Sequence, residues 1–287
     1  MKNSVMILMF VCSAILCVSC EDLLEAPAKS TLDESAIFSS PSFAVDAIPG
    51  VLNMFSQGGA HSGRFLPWYG VNNDVEIRNG LSSVSLSETD DLTYYHTSPL
   101  NSQMNLISGD TYTHMFTGIE RANLAIRGLR TYADLSNWEL AQILGEMLTL
   151  RAICYAELLK AFGNVPERFD PVNSETVYLP RADRDVILKQ LLADLEEAAE
   201  LVGWPNENTY TKNRHRISKS FVKAMRARLA LWAGGYSLHA GEAVMRMSND
   251  PDLARDKMYA IAKQECLDVI NSGYIPFATA TRIPDQF

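Results

Sequence analysis

The chain has 287 residues, with 25 lysines and arginines against 34 aspartates and glutamates, for a net charge of −9. An acidic balance of this size argues against nucleic acid as a partner, because phosphate backbones are held by basic surfaces that displace counterions. The length suffices for one large helical array or two ordinary domains.

At the N-terminus, Lys2 is followed by an uncharged run over residues 5–18. A spanning helix needs about 20 apolar residues, so residues 1–19 read as a secretory signal peptide and are set aside from the fold. Only Lys2 among the charged residues falls there, which leaves −10 on the remainder. Ser19 before Cys20 is similar to the small residue that precedes the acylated cysteine of bacterial lipoproteins, making Cys20 the expected lipid attachment site. An ordinary secretory signal cut nearby is the competing reading. Residues 20–39, including the polar, proline-bearing EDLLEAPAKSTLD, read as a tether.

Ser40-Pro41 has the order of an N-cap and first helical residue and predicts a helix to about Ser56, kinked or split at Pro49-Gly50. Residues 58–109 are rich in Gly, Ser, Asn and Asp and carry Trp68, Tyr69, Tyr94, Tyr95 and His96. That reads as a long loop region with some strand, and loops beyond about 15 residues in a compact domain are functional or disordered. Beyond it, Tyr112, Phe116, Ile119, Ala122, Ile126 and Leu129 recur at helical spacing over residues 110–130. Ser136 and Glu139 form a capping box ahead of a helix that carries Leu140 through Phe162 and stops at Gly163. Asp183 caps a further helix running to Gly203-Trp204-Pro205. Ser218 opens the next, ending near Gly234-Gly235 or continuing to His239, and Asp250-Pro251 precedes the last, whose Met258, Ile261, Ala262, Cys266, Val269 and Ile270 share one side.

Helices without βαβ alternation indicate an all-α fold of packed hairpins. Ala224 and Ala227 on one helix and Tyr259 and Ala262 on the next resemble tetratricopeptide packing without its 34-residue period. The expected architecture is therefore degenerate tetratricopeptide-like helical hairpins with a long aromatic-bearing loop region. Cys154 and Cys266 fall on apolar helix sides and are expected to be buried thiols.

The stretch GEMLTLRAICYAELLKAFGNVPE, residues 145–167, resembles the hallmark of the SusD/RagB family of Bacteroidetes outer-membrane lipoproteins: an acidic residue, L-R-A, an aromatic, and a closing F-G-x-V-P. Three more segments resemble family motifs in the family's order: Tyr112 to Asn123 with Ile119, Arg121 and Ala122, the basic entry RISK with its helix to Ala230, and Tyr259-x-x-Ala262 followed by VINSGY. Members are roughly twice as long, so residues 40–287 read as the N-terminal part of such a helical domain, its C-terminal part missing. The resemblance implies non-catalytic capture of a nutrient, usually an oligosaccharide, for a SusC-like TonB-dependent outer-membrane transporter. The protein would be held to the membrane surface by the N-terminal lipid, facing the cell exterior. It also implies no cofactor.

A pyranose presents an apolar C–H face that stacks on aromatic rings, while amides and carboxylates satisfy its hydroxyls. On that chemistry the candidate ligand residues are Trp68, Tyr69, Asp74, Tyr94, Tyr95, Asn101 and Tyr112, although Tyr112 also lies on the apolar side of its helix. No catalytic residue is nominated: the five histidines show no metal-ligand spacing, no G-x-S-x-G occurs, and Asp90-Asp91 read as solvated loop carboxylates. The basic run Lys212, Arg214, His215, Arg216, Lys219 and Lys223 reads as a solvated helix entrance, and the resemblance implies a structural role for Arg216. Glu146 and Arg151, five apart, are expected to bond to neighbouring helices or loops. A helical-repeat scaffold binding peptide or protein is the alternative function.

Overall fold

The computed structural model describes residues 33–61, 111–212 and 215–274, and the architecture is that of the unit spanning residues 35–287. The described residues are α1 Glu34–Phe38, α2 Pro41–Ala44, α3 Ala47–Phe55, α4 Thr111–Tyr132, α5 Trp138–Phe162, α6 Arg184–Leu201, α7 Lys219–Ala233, a 3₁₀ turn at Pro251–Leu253 and α8 Arg255–Asn271. No strand occurs among them beyond two isolated antiparallel bridges, Pro166 with Arg181 and Ser237 with Arg246. The fold is all-α, and none of the described helices is long and apolar enough to cross a membrane.

From α4 onward each helix packs on the next, and α3 covers α4. The centre of this array is α5, where almost every residue from Leu140 to Leu159 is buried. A helix enclosed on all sides needs apolar residues around its whole circumference. Its Leu140, Ile143, Leu144, Met147, Leu148, Leu150, Leu158 and Leu159 supply them. The neighbours are amphipathic: α4 buries Met115, Ile119, Ala122, Ile126 and Leu129, and α6 buries Ile187, Leu188, Leu191, Leu195 and Ala198.

Most predicted termini fall where their chemistry places them. Asp183 accepts the backbone N–H of Asp185 at the start of α6, Asp250 does the same for Asp252, and Gly163 ends α5 at a φ of 69° that a residue with a Cβ adopts reluctantly. At the start of α5 the expected capping box is replaced by Asn137, whose side chain accepts from Glu139 N–H, while Ser136 N–H turns back to Asp134. The first helical stretch does split, but at Val45-Asp46 instead of Pro49-Gly50. Pro49 stands third in α3, where a missing N–H costs no intrahelical bond. Residues 34–38, read as tether, form α1, because the Phe38 ring fills the space above Gly128 on α4. At its C-terminus α7 stops at Ala233 and does not reach His239.

Cys154 is buried and desolvation pushes its thiol pKa well up, whereas Cys266 is exposed. The buried face of α8 consists of Met258, Ala262 and Glu265, so Cys266 and Ile270 lie off it. The reason is a charge cluster. Glu265 accepts from Lys223 Nζ at 2.7 Å and from Arg226 Nη1 at 2.5 Å, and this turns the helix so that its carboxylate faces α7.

Glycine permits the closest approach between α5 and α6. A Cβ at Gly145 would meet the Val202 methyl at 2.6 Å and the Ala198 carbonyl oxygen at 3.2 Å. Gly145→Ala should therefore lower stability by about 1–3 kcal/mol through forced separation of the helices. Gly50→Ala on α3, with nothing within 4 Å of its would-be Cβ, should raise it by about 0.5–1 kcal/mol through helix propensity. Chemical denaturation of the two variants against the parent checks both signs.

Candidate functional site

The first half of α4 and the segment following α5 enclose an open groove of about 510 Å³. Tyr112, Thr113, Phe116, Thr117, Glu120 and Arg121 form one wall, and Pro166, Arg168 and Val172 form the other. Tyr112 and Phe116 lie one turn apart with ring centroids 4.7 Å from each other. Behind them Phe162 packs edge-on to Tyr112 at 5.2 Å, and Tyr155 edge-on to Phe116 at 6.2 Å. The pair is thus braced from the core side and only partly buried. Burial pushes the Tyr112 phenol above its ordinary pKa, outweighing the opposing influence of Arg168 and Arg181. The phenol is neutral at neutral pH and able both to donate and to accept a hydrogen bond.

The second wall has no helix of its own, and its backbone is held by side chains from the helices around it. Tyr155 hydroxyl donates to the Arg168 carbonyl at 2.9 Å and accepts from Arg168 N–H at 2.6 Å. Asn123 Nδ2 donates to the carbonyls of Arg168 and Asp170 at 3.0 and 3.2 Å. Arg151 Nη1 donates to the Phe169 carbonyl at 2.9 Å, and Val172 N–H donates to Glu120 at 3.0 Å. Arg151 is fixed in turn by Asp194 of α6, which accepts from its Nε at 3.0 Å and its Nη2 at 2.7 Å, and by Asn123 Oδ1 at 2.9 Å. Both side chains of the Arg151–Asp194 pair are almost wholly enclosed, 3% and 1% exposed.

The start of α4 is tied to the residues around α3. Thr111 Oγ1 donates to the Gly59 carbonyl at 2.6 Å, and Arg121 Nη1 donates to the Gly50 carbonyl at 2.6 Å. Tyr112 immediately follows Thr111. Of the predicted ligand residues, Tyr112 lines the groove, while Trp68, Tyr69, Asp74, Tyr94, Tyr95 and Asn101 lie outside the described residues, as does Cys20. Phe116, Arg168 and the threonines Thr113 and Thr117 escaped the sequence reading. The Tyr112/Phe116 spacing of four was visible but read as a core stripe, and nothing local in the sequence announces that Arg168 is folded back onto α4.

A second depression, of about 370 Å³, is lined by Trp138, Gln142, Gly203, Glu207, Asn208 and Lys219. Its polar groups are already engaged: Gln142 accepts from Gly203 N–H and donates to the Ile217 carbonyl and Glu146, and Glu207 accepts from Trp204 N–H. The basic run is engaged as well. Arg216 pairs with the buried Glu146, for which desolvation still leaves a raised pKa, Lys223 pairs with Glu265 and Asp268, and Lys219 lies over the Trp204 ring. Glu146 and Arg151 thus reach to a loop and to a neighbouring helix respectively, as their spacing predicts.

A family model for SusD-like proteins, described as starch-binding and associating with the outer membrane, matches residues 73–231. The SusD-like protein P25 of Formosa agariphila is 21% identical over 256 residues, which are 85% of this chain and 46% of that protein. Among solved structures, a SusD homolog from Bacteroides thetaiotaomicron superposes with a TM-score of 0.63 at 17% identity, covering 84% of this chain and 42% of that one. A SusD-like carbohydrate-binding protein from Bacteroides fragilis gives a TM-score of 0.59 at 14% identity, with 83% and 41% covered. At such identities the structural likeness concerns the fold, and this chain spans less than half the length of these relatives.

Arg151→Met should cost about 3–5 kcal/mol, because it leaves Asp194 as an uncompensated buried charge. Adding Asp194→Leu should recover most of that loss, since removing both charges removes the desolvation penalty as well. Urea denaturation of the single and double variants checks the pair. Limited proteolysis should show faster cleavage within residues 166–172 in the single variant.

Proposed function

The chain belongs to the SusD-like family, and from that membership we propose that it captures an oligosaccharide at the bacterial outer membrane without chemically altering it. A lipid on Cys20 would hold it to the membrane, facing the cell exterior, and a SusC-like TonB-dependent transporter would receive the ligand. The observation that carries this reading is the groove. Two adjacent aromatic rings braced from behind offer a stacking platform for sugar C–H faces, and the neutral Tyr112 phenol, Thr113, Thr117 and Arg168 stand beside them to meet hydroxyls. Arg168 Nη1, enclosed and without a hydrogen-bond partner among the described residues, is a donor left over for such a hydroxyl.

Thr111, which is bonded to the Gly59 carbonyl, directly precedes Tyr112 of the groove. Trp68, Tyr69, Tyr94 and Tyr95, with Asp74 and Asn101, would add further stacking and hydrogen-bonding groups to the platform. Among the described residues Glu120 is the one acid that lines the groove, and it is bonded to Val172 N–H.

Isothermal titration of the chain with a panel of α- and β-linked glucan oligosaccharides tests the proposal. Binding of at least one member is expected, weakened by about tenfold in Tyr112→Ala and in Phe116→Ala, as loss of one ring contact near 1.4 kcal/mol requires. Absence of binding across the panel, or affinity indifferent to both substitutions, would sink it.

A further inference from the structure

Away from the groove, at the N-terminus of α6, Asp183, Asp185 and His239 come together. One ligand atom from each, a carboxylate oxygen or a ring nitrogen, lies within 4.8 Å of the other two. Asp183 and Asp185 flank the first helical residue, and His239 arrives from the loop joining α7 to α8, where the Ser237–Arg246 bridge fixes the loop's path. Two carboxylates this close repel each other unless a positive charge stands between them.

The cations nearby, Arg184, Arg246 and Lys189, offset part of this repulsion, but none of them donates a hydrogen bond to either acid. Arg184 Nε makes an ion pair with Asp185 Oδ1 at 3.9 Å, too long for a hydrogen bond, and its guanidinium rests on the Trp232 ring at 4.8 Å. Arg246 is committed to Glu242 through two bonds of 2.8 and 2.6 Å, and Lys189 is paired with Asp250. His239 itself is 4% exposed, and its Nε2 is enclosed with no hydrogen-bond partner. A buried imidazole nitrogen with nothing to bond is costly, and it accompanies carboxylates that are only half used. Asp183 Oδ1 accepts from Asp185 N–H, and Asp185 Oδ2 accepts from the Ser248 hydroxyl at 2.6 Å, so each acid keeps a second oxygen.

We propose that Asp183, Asp185 and His239 bind a divalent transition-metal ion of the Zn²⁺ class, which staples the α7–α8 loop to the start of α6. An imidazole nitrogen beside two carboxylates selects such an ion over Ca²⁺ or Mg²⁺, which take all-oxygen shells. Bonds of about 2.0–2.2 Å bring ligand atoms to roughly 3.3–4.2 Å apart. Closing the observed spacing to that range requires these side chains to draw together on binding. Water completes the shell on the solvent side. The consequence is local order, because the pinned loop carries Tyr236, Ser237, Leu238 and Met245, which wall a depression of about 470 Å³ against Phe162, Arg184 and Trp232. The sequence gives no hint of the site, since its third ligand comes from a distant loop.

The test is a Zn²⁺ titration of the chelator-treated full chain, followed by calorimetry and by thermal denaturation. One saturable event tied to these residues is expected, with a higher Tm in the presence of the ion, as any ligand selective for the folded state produces. Asp183→Asn is the informative variant, because asparagine caps a helix as well as aspartate and preserves the fold. It should weaken Zn²⁺ binding by about tenfold or more, the scale seen when metal-site groups are altered, and His239→Ala should abolish the Tm gain. Loss of the event in Cys266→Ser would place the ion on the exposed thiol and overturn the proposal. So would affinity unchanged in Asp183→Asn and His239→Ala, an equal response to Ca²⁺, or no saturable binding at all.

Discussion

The organisation of the described residues hangs on one buried ion pair, Arg151 with Asp194. Removing a guanidinium and a carboxylate from water costs several kcal/mol per ion, and attraction repays this only when geometry and further hydrogen bonds are complete. They are complete here: Asp194 takes two bonds from Arg151 and a third from Gln190, while the remaining guanidinium capacity goes to Asn123 and the Phe169 carbonyl. One arginine thereby fixes the relative positions of α4, α5, α6 and the segment after α5. Apolar contacts among leucines tolerate sliding, whereas five donors in a planar fork do not. The wall of the groove inherits its position from this demand for satisfaction.

That dependence explains why the hallmark stretch is so readable in sequence and says so little about ligand. Of the residues that carry the resemblance, Arg151, Tyr155 and Asn123 face inward to hold backbone, while Tyr112, Arg121 and Pro166 line the groove. The groove surface among the described residues comes from Tyr112 and Phe116 on α4 and from Arg168. The motif residues thus fall into two sets, those that hold backbone and those that face the groove. The first set is constrained by buried polar accounting and the second by whatever the groove must touch.

The helices were legible because their signals are local. Asp183, Asp250 and Gly163 act through hydrogen bonds or φ angles within a few residues. Where two local signals compete, composition does not decide between them. Asn137 displaces Ser136 as the cap because a cap must directly precede the first turn, and Trp138 is where α5 begins. Pro49 was misread as a break since proline is tolerated in a first turn, and the start of α3 was set by contacts that no local rule sees. Cys266 failed for a longer-range reason. The apolar pattern of α8 is weak, and the cations Lys223 and Arg226 on α7 decide which face turns inward by demanding Glu265.

The seams from α5 to α8 share that device. Between α5 and α6 it is Asp194 with Arg151; between α5 and the entry to α7 it is Glu146 with Arg216, reinforced by Gln142; between α7 and α8 it is Glu265 with Lys223 and Arg226. In each case the acid is nearly enclosed and the base reaches it from another element. Such pairs add little net stability over apolar substitutes of equal volume, yet a mismatched register leaves a buried charge alone at a cost of about 3–5 kcal/mol. Their effect is discrimination. Helices with interchangeable Leu, Ile and Ala faces could pack in several offsets, and one acid–base pair per seam penalises all but one. The same logic positions the groove, because Arg151 selects the α5–α6 register and holds the Phe169 carbonyl with the same guanidinium. Arg151 thus links the α5–α6 register to the wall of the groove that Tyr155, Asn123 and Glu120 also hold.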